Sequence, residues 1–161
     1  MTELPDEQIA DASKLTADGI VELFHIILQD GSHLYLKADN TVTWQGHTWE
    51  GIGIKMGSIS NSSDAGEVSR PQLVVANPAG AFSSFVVSKK LDRAEVMRLR
   101  VLRTHLLANQ NIFSQQSWKV MRVLSLNRQS IAVELRSQMD GPNFMTPARL
   151  YMPPEFPTVT L

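Results

Sequence analysis

Residues 131–136 alternate strictly: Ile131, Val133 and Leu135 are apolar, while Ala132, Glu134 and Arg136 are small or charged. A period of two puts every second side chain on one face, which an extended strand does and a helix does not. The run Trp118–Leu126 precedes it, and Asn127-Arg128-Gln129 between them is long enough only for a tight loop. Residues 118–137 therefore read as an antiparallel hairpin. The same logic finds two more. Val21, Leu23, Phe24, Ile26, Ile27 and Leu28 lead into Asp30-Gly31 and return through Leu34-Tyr35-Leu36. Val42-Thr43-Trp44 and Thr48-Trp49 flank Gln45-Gly46, where Gly46 accepts the positive φ that a short hairpin loop requires. Three hairpins in 161 residues predict a mainly β fold, an antiparallel barrel or sandwich with one or two short helices and extended terminal arms.

The remaining segments are less regular. Ile52–Ile54 reads as a strand running into an exposed glycine- and serine-rich loop, and Pro71 as the first residue of the strand Pro71–Ala76. Phe82, Phe85 and Val86 recur at helical spacing, which puts the principal helix near residues 79–88. Residues 91–107 fit two patterns. Asp92 with Glu95 resembles a capping box, and Val96, Leu99, Leu102 and Leu106 share a helical face. Met97, Leu99 and Val101 also alternate with Arg98 and Arg100, as in a strand. Five of the eight prolines fall between Pro142 and Pro157, so the end of the chain is expected to be extended. The implied organisation is an acidic arm or short helix over residues 1–18, a β-rich domain over 19–139 and a proline-rich arm over 140–161.

Charge is segregated along the chain. Residues 1–88 carry four Lys or Arg against eleven Asp or Glu, and residues 89–128 carry nine against two, within a net charge of −1. Opposite blocks suit either packing within one chain or pairing between copies. A nucleic-acid binder would more often be basic overall, so no specific nucleic acid is expected. No run of about 18 apolar residues exists to span a bilayer, and the acidic start does not resemble a cleaved leader.

The chemistry-bearing residues do not assemble into a known catalytic pattern. His25, His33, His47 and His105 lack metal-ligand or triad spacing, and H-E-x-x-H, G-x-S-x-G and phosphate-binding glycine loops are absent. With no cysteine, thiolate metal sites and a cysteine nucleophile are excluded. Were His25 and His33 to face each other across the first hairpin, Asp30 or Asp39 would be needed to complete a metal site, and satisfied or exposed hairpin histidines are the commoner outcome. Trp44, Trp49 and Trp118 suit core or interface anchors better than a sugar-stacking platform. Arg70, at a strand entrance, is a candidate partner for a carboxylate. No enzyme activity, cofactor or metal is expected.

Val42-Thr43-Trp44-Gln45-Gly46, a glycine- and serine-rich stretch, and Ser69-Arg70-Pro71-Gln72-Leu73-Val74-Val75-Ala76-Asn77 occur in that order. This succession resembles the N-terminal domain of the minor tail protein L family of lambda-like siphophages, and the similarity spans residues 17–150. Thr146-Pro147-Ala148-Arg149-Leu150-Tyr151-Met152-Pro153-Pro154-Glu155-Phe156-Pro157 is similar to the ending of short tail proteins with an uncharacterised phage domain. The resemblance implies a strand at Glu95–Val101, with Met97, Leu99 and Val101 inward and Arg98 and Arg100 opposite. It implies a structural protein of the virion tail tip, synthesised in the host cytoplasm, forming a homo-oligomeric ring between the tail-tube end and the central hub. Three or six copies are expected, three preferred, with a distal tail or tube-end protein and a central hub protein as neighbours. The interface candidates are Trp44, Gly46, Trp49, Arg70, Pro71, Arg98, Arg100, Arg149, Tyr151 and Phe156. The alternative is a receptor- or carbohydrate-binding β domain. The family's cysteine-rich, cluster-bearing region has no counterpart in a chain without cysteine.

Overall fold

The computed structural model describes Asp6, residues 19–57 and residues 70–137. The N-terminal arm, the loop at 58–69 and the C-terminal arm with Arg149, Tyr151 and Phe156 lie outside the described residues. Among the described residues nine strands form the fold: β1 (Ile20–Ile27), β2 (His33–Lys37), β3 (Val42–Trp44), β4 (His47–Gly51), β5 (Ile54–Met56), β6 (Gln72–Ala76), β7 (Glu95–Leu102), β8 (Ser114–Leu126) and β9 (Ser130–Ser137). Two short helices, α1 (Ser83–Val87) and α2 (Arg103–Leu107), flank β7. The sheet order is β3-β4-β2-β1-β7-β8-β9-β6-β5, antiparallel throughout except for the β2–β4 pair.

The two ends of that order meet. The Ile52 N–H donates to the Lys37 carbonyl of β2 at 2.8 Å, and one residue later the Gly53 carbonyl accepts from Ala76 N–H of β6 at 2.6 Å. A single extended segment, β4 through β5, is thus bonded to β2 at one end and to β6 at the other, and the sheet closes into a barrel. Closure removes the exposed edges that an open sheet would carry along these strands. It also explains why β5 begins at Ile54 rather than at Ile52, since Ile52 and Gly53 form the crossing.

The barrel interior is filled from every wall, by Phe24, Ile26, Leu36, Ile54, Leu73, Val75, Val96, Trp118, Val120, Ile131, Val133 and Leu135, with Phe82, Leu91 and Ala94 from the β6–β7 connection. Each such large side chain contributes about 1.5–3 kcal/mol on burial. A second cluster sits outside the wall. Leu23, Leu99 and Val101 on the far side of β1 and β7 are covered by Trp44 and Trp49 of the β3–β4 hairpin and by Leu106 of α2. Strand β7 is therefore buried on both faces, which is why its apolar residues matched a helix and a strand at once.

This arrangement corrects the orientation expected for β7. Leu99 and Val101 belong to the outer cluster, whereas Arg98 and Arg100 share the barrel-facing side with Val96, which is fully buried. The cross-strand register agrees, pairing Val96 with Ile26 and Arg98 with Phe24. Two smaller differences concern ends. The 79–88 helix is a 3-10 turn at Pro78–Gly80 followed by α1, and β6 starts at Gln72, with Pro71 buried just before it and its carbonyl accepting Leu135 N–H at 2.9 Å.

The β3–β4 turn has φ of 53° at Gln45 and 76° at Gly46, the type I′ pattern that matches strand twist. A Cβ at Gly46 would meet nothing within 4 Å, so the cost of a side chain there is purely one of backbone conformation. Gly46→Val is expected to lower stability by roughly 1–2 kcal/mol in thermal or denaturant unfolding. An unchanged midpoint would show that the turn can adopt another conformation.

Candidate functional site

Four polar or aromatic constellations are built by the barrel. The first joins Arg70, just before β6, to β8 and β9. Glu134 on β9 lies opposite Gln72 and Arg122 in the ladders and is 5% exposed. Its carboxylate accepts from Arg122 Nε and, at 3.3 Å, from Arg70 Nη1. The Arg122 hydrogen bond above all, with help from Arg70, holds the carboxyl below its usual range despite burial. Two guanidiniums on one buried carboxylate tie the entrance of β6 to the β8–β9 hairpin.

The second constellation lies at one end of the barrel. Glu22 of β1 faces Arg98 and Arg100 of β7, its Oε1 lying 3.7 Å from Arg98 Nη1 and 3.8 Å from Arg100 Nε. Arg98 Nη2 donates to Gln116 Oε1 at 2.6 Å, and its guanidinium stands 5.7 Å from the Trp118 ring centroid, a cation–π distance. Burial depresses the Arg98 pKa, with Glu22 opposing and Arg100 adding to the shift. The apolar barrel interior gives way here to a basic rim.

The third is the β3–β4 hairpin. Trp44 and Trp49 are each 2% exposed, so they anchor the hairpin within the chain, and no stacking face remains open to a sugar. Trp49 Nε1 donates to the Trp44 carbonyl at 3.3 Å and Trp44 Nε1 to the Gln110 carbonyl at 3.2 Å. The turn is pinned to the end of α2 through Asn109, whose Oδ1 accepts from Gln45 N–H at 2.9 Å. Trp118 is buried in the barrel core.

Next to Trp49, the outer face of β1 and β2 carries a column of rings that sequence reasoning had seen only as a possible histidine pair. His33, His25, Tyr35 and His47 stack with successive centroid distances of 5.1, 4.6 and 4.3 Å. His25 Nε2 and His33 Nδ1 share a hydrogen bond of 2.9 Å. Asp30 does not join them, because it pairs with Lys90 at 2.8 Å and accepts from Ser32 N–H. Among the described residues no three His, Cys, Asp or Glu side chains are placed to hold a metal.

Burial first, then the neighbouring His33 and His47, lowers the His25 pKa from 6.5 to about 4. Between those values the unfolded chain binds a proton that the folded chain refuses, so stability falls as pH drops from about 6.5 towards 4. Below that window the contribution is flat. His25→Phe keeps a ring in the column and removes the titration, so its unfolding midpoint is expected to change less with pH over this range. An identical pH profile would show that another group carries the effect.

The surface has one more distinctive element. Strand β7 accompanies β8 only over Ser114–Lys119, whereas β9 follows β8 out to Leu126. Register shifts between Val120 and Arg122 and between Val123 and Ser125 leave Met121 and Leu124 as extra, bulged residues. Met121, Leu124 and Leu126 are 44%, 39% and 39% exposed. Residues 19–57 and 70–137 carry thirteen Lys or Arg against seven Asp or Glu, so these described stretches are basic on balance.

No protein-family model matches this sequence, and no curated protein is detectably similar to it. Among solved structures, its fold is similar to that of a chain in the virion of a native gene transfer agent particle, with 15% identity and a TM-score of 0.61. The likeness covers 92% of this chain and 50% of that one, so this chain spans about half the length of its structural neighbour. At such low identity the similarity is one of fold.

Proposed function

We propose that this chain is a structural component of a phage-like virion and, within it, a subunit of a tail-tip ring between the tube end and the central hub. The observation that carries the proposal is the fold shared with a virion chain over nearly the whole of this sequence. The resemblance of the Val42–Gly46 and Ser69–Asn77 motifs to the minor tail protein L family points the same way and supports a position at the tail tip. The closely grouped polar residues support a non-catalytic part. Glu134 is occupied by Arg70 and Arg122, and Glu22 faces Arg98 and Arg100, so these carboxylates serve as ion-pair partners rather than as poised acids or bases.

In this reading three or six copies, three preferred, close the ring, with a distal tail or tube-end protein and a hub protein above and below. Association between oppositely charged surfaces would weaken as salt shortens the Debye length. The test is to purify particles from a host carrying an epitope-tagged chain and to image the tail tip. The tag is expected in ring density below the tube, and deletion of the chain is expected to abolish infectious or transducing particles. Absence of the chain from purified particles would overturn the proposal.

A further inference from the structure

Two strand edges on different walls of the barrel lack backbone partners among the described residues. One is the distal half of β8, Met121–Leu126, which has β9 on one side and nothing on the other once β7 has ended. The other is β3, which pairs with β4 alone. Around the barrel the β3–β4 hairpin and β8 are separated by β2, β1 and β7 in one direction and by β6 and β9 in the other. Exposed edges with apolar side chains invite pairing with another chain, and Met121, Leu124 and Leu126 supply such side chains at the first edge.

The charges beside the two edges are complementary. Lys89, Arg93, Lys119 and Arg128 are exposed around the β8–β9 arm, against two acidic residues nearby, Asp92 in the 88–94 turn and Glu95, which lies opposite Lys119 in the β7–β8 ladder. The 88–94 turn is held against the arm by Val120 N–H donating to the Ala94 carbonyl at 2.9 Å. Beside β3, Asp39 and Glu50 are exposed and have no ion-pair partner among the described residues. Lys37 next to them turns its ammonium onto the Ala38 and Asn40 carbonyls at 2.9 and 3.2 Å. One molecule thus presents a basic edge on one wall and an acidic edge on another.

We infer that the occupant of the β8 edge is the β3–β4 hairpin of a second copy of this chain. The contact is heterologous: the arm of one copy meets the hairpin of the next, with Met121, Leu124 and Leu126 against it and Lys119 and Arg128 opposite Asp39 and Glu50. Because the two surfaces differ, each copy of a pair keeps one of them free for a further neighbour, and repetition generates a ring when the rotation closes. This identifies the contact surfaces of the proposed ring and rests on that reading for its biological setting.

The chain has no cysteine, so introduced thiols report only themselves. Full-length Leu124→Cys and Thr43→Cys proteins, mixed and oxidised, are expected to give about tenfold more disulfide-linked dimer than either alone. Combining Lys119→Glu with Arg128→Glu in the Leu124→Cys copy should reduce the yield about tenfold, and Asp39→Lys with Glu50→Lys in the Thr43→Cys copy should restore it. Self-linking of Leu124→Cys above the mixed yield, absence of any mixed dimer, or failure of the charge swap to restore it would overturn the contact. Mixed dimers from a chain that is missing from purified particles would instead overturn the virion reading and leave the contact standing.

Discussion

Gly51→Ala is expected to lower the unfolding free energy by about 3 kcal/mol, at the upper end of what forced overpacking costs. Gly51 is the last residue of β4, immediately before the Ile52–Gly53 crossing that closes the barrel. A Cβ there would collide with the Asp39 carbonyl oxygen and would sit 2.7 Å from Thr41 N and 2.8 Å from Asn40 C. All three are backbone atoms, so no side chain can swing aside. The 39–41 segment cannot retreat cheaply either, because Thr41 Oγ1 accepts from Gly51 N–H at 3.0 Å and Lys37 holds the Asn40 carbonyl. Relief requires β4 to shift against β2, which strains the Ile52–Lys37 hydrogen bond. Thermal unfolding should show a midpoint roughly 6–12 °C lower, with amide exchange at Ile52 accelerated beyond the global change. Gly19→Ala, where a new Cβ meets nothing within 4 Å, is the control and should leave the midpoint nearly unchanged. Equal midpoints for both variants would show that the crossing is more pliable than its geometry implies.

Asn77→Ala is expected to be comparably damaging, by about 3 kcal/mol, because it orphans buried polar groups rather than merely removing contacts. Asn77 is fully buried. Its Oδ1 accepts from Phe82 N–H at 2.8 Å, and its Nδ2 donates to the Asn127 carbonyl at 2.8 Å and to Ser83 Oγ at 3.2 Å. One side chain therefore joins the end of β6, the start of α1 and the β8–β9 turn. The same turn is reached by its backbone, since Asn77 N–H donates to the Gln129 carbonyl at 2.7 Å. Alanine keeps the backbone bond and leaves a buried N–H and a carbonyl without partners. The variant should unfold about as early as Gly51→Ala, and its lost protection should concentrate at Phe82. A loss below about 1 kcal/mol would mean that water replaces the amide and satisfies the groups it leaves.

Both residues were visible before the fold was known, to different degrees. Asn77 closes the Arg70–Asn77 motif, so a reader of the sequence would single it out, but not for a role in stitching three segments. Gly51 stood in a glycine-rich stretch with nothing to separate it from its neighbours. What makes it intolerant of a side chain is the 39–41 segment lying across it, which follows from the parallel β2–β4 pairing. The histidines are similar. Their spacing matched no metal motif, and only the β1–β2 register with the β3–β4 hairpin folded over it stacks His25, His33 and His47 with Tyr35. Residues 91–107 were ambiguous for another reason: a strand buried on both faces carries apolar residues at both parities, which defeats periodicity as a signal, and the strand expected over 96–102 rests on the family resemblance and is present as β7.

Local chemistry alone determined the three hairpins, the short loop with positive φ at Gly46, the mainly β class and the absence of any cysteine chemistry, because alternation, turn glycines and residue counts depend on a few neighbouring positions. Tertiary structure decided the rest. Barrel closure through Ile52 and Gly53, the inward turn of Arg98 and Arg100, and the capture of Glu134 by Arg70 and Arg122 all depend on which strands become neighbours. Strand order is set by the burial of whole faces against one another, a sum over residues far apart in sequence, and no local pattern encodes that sum.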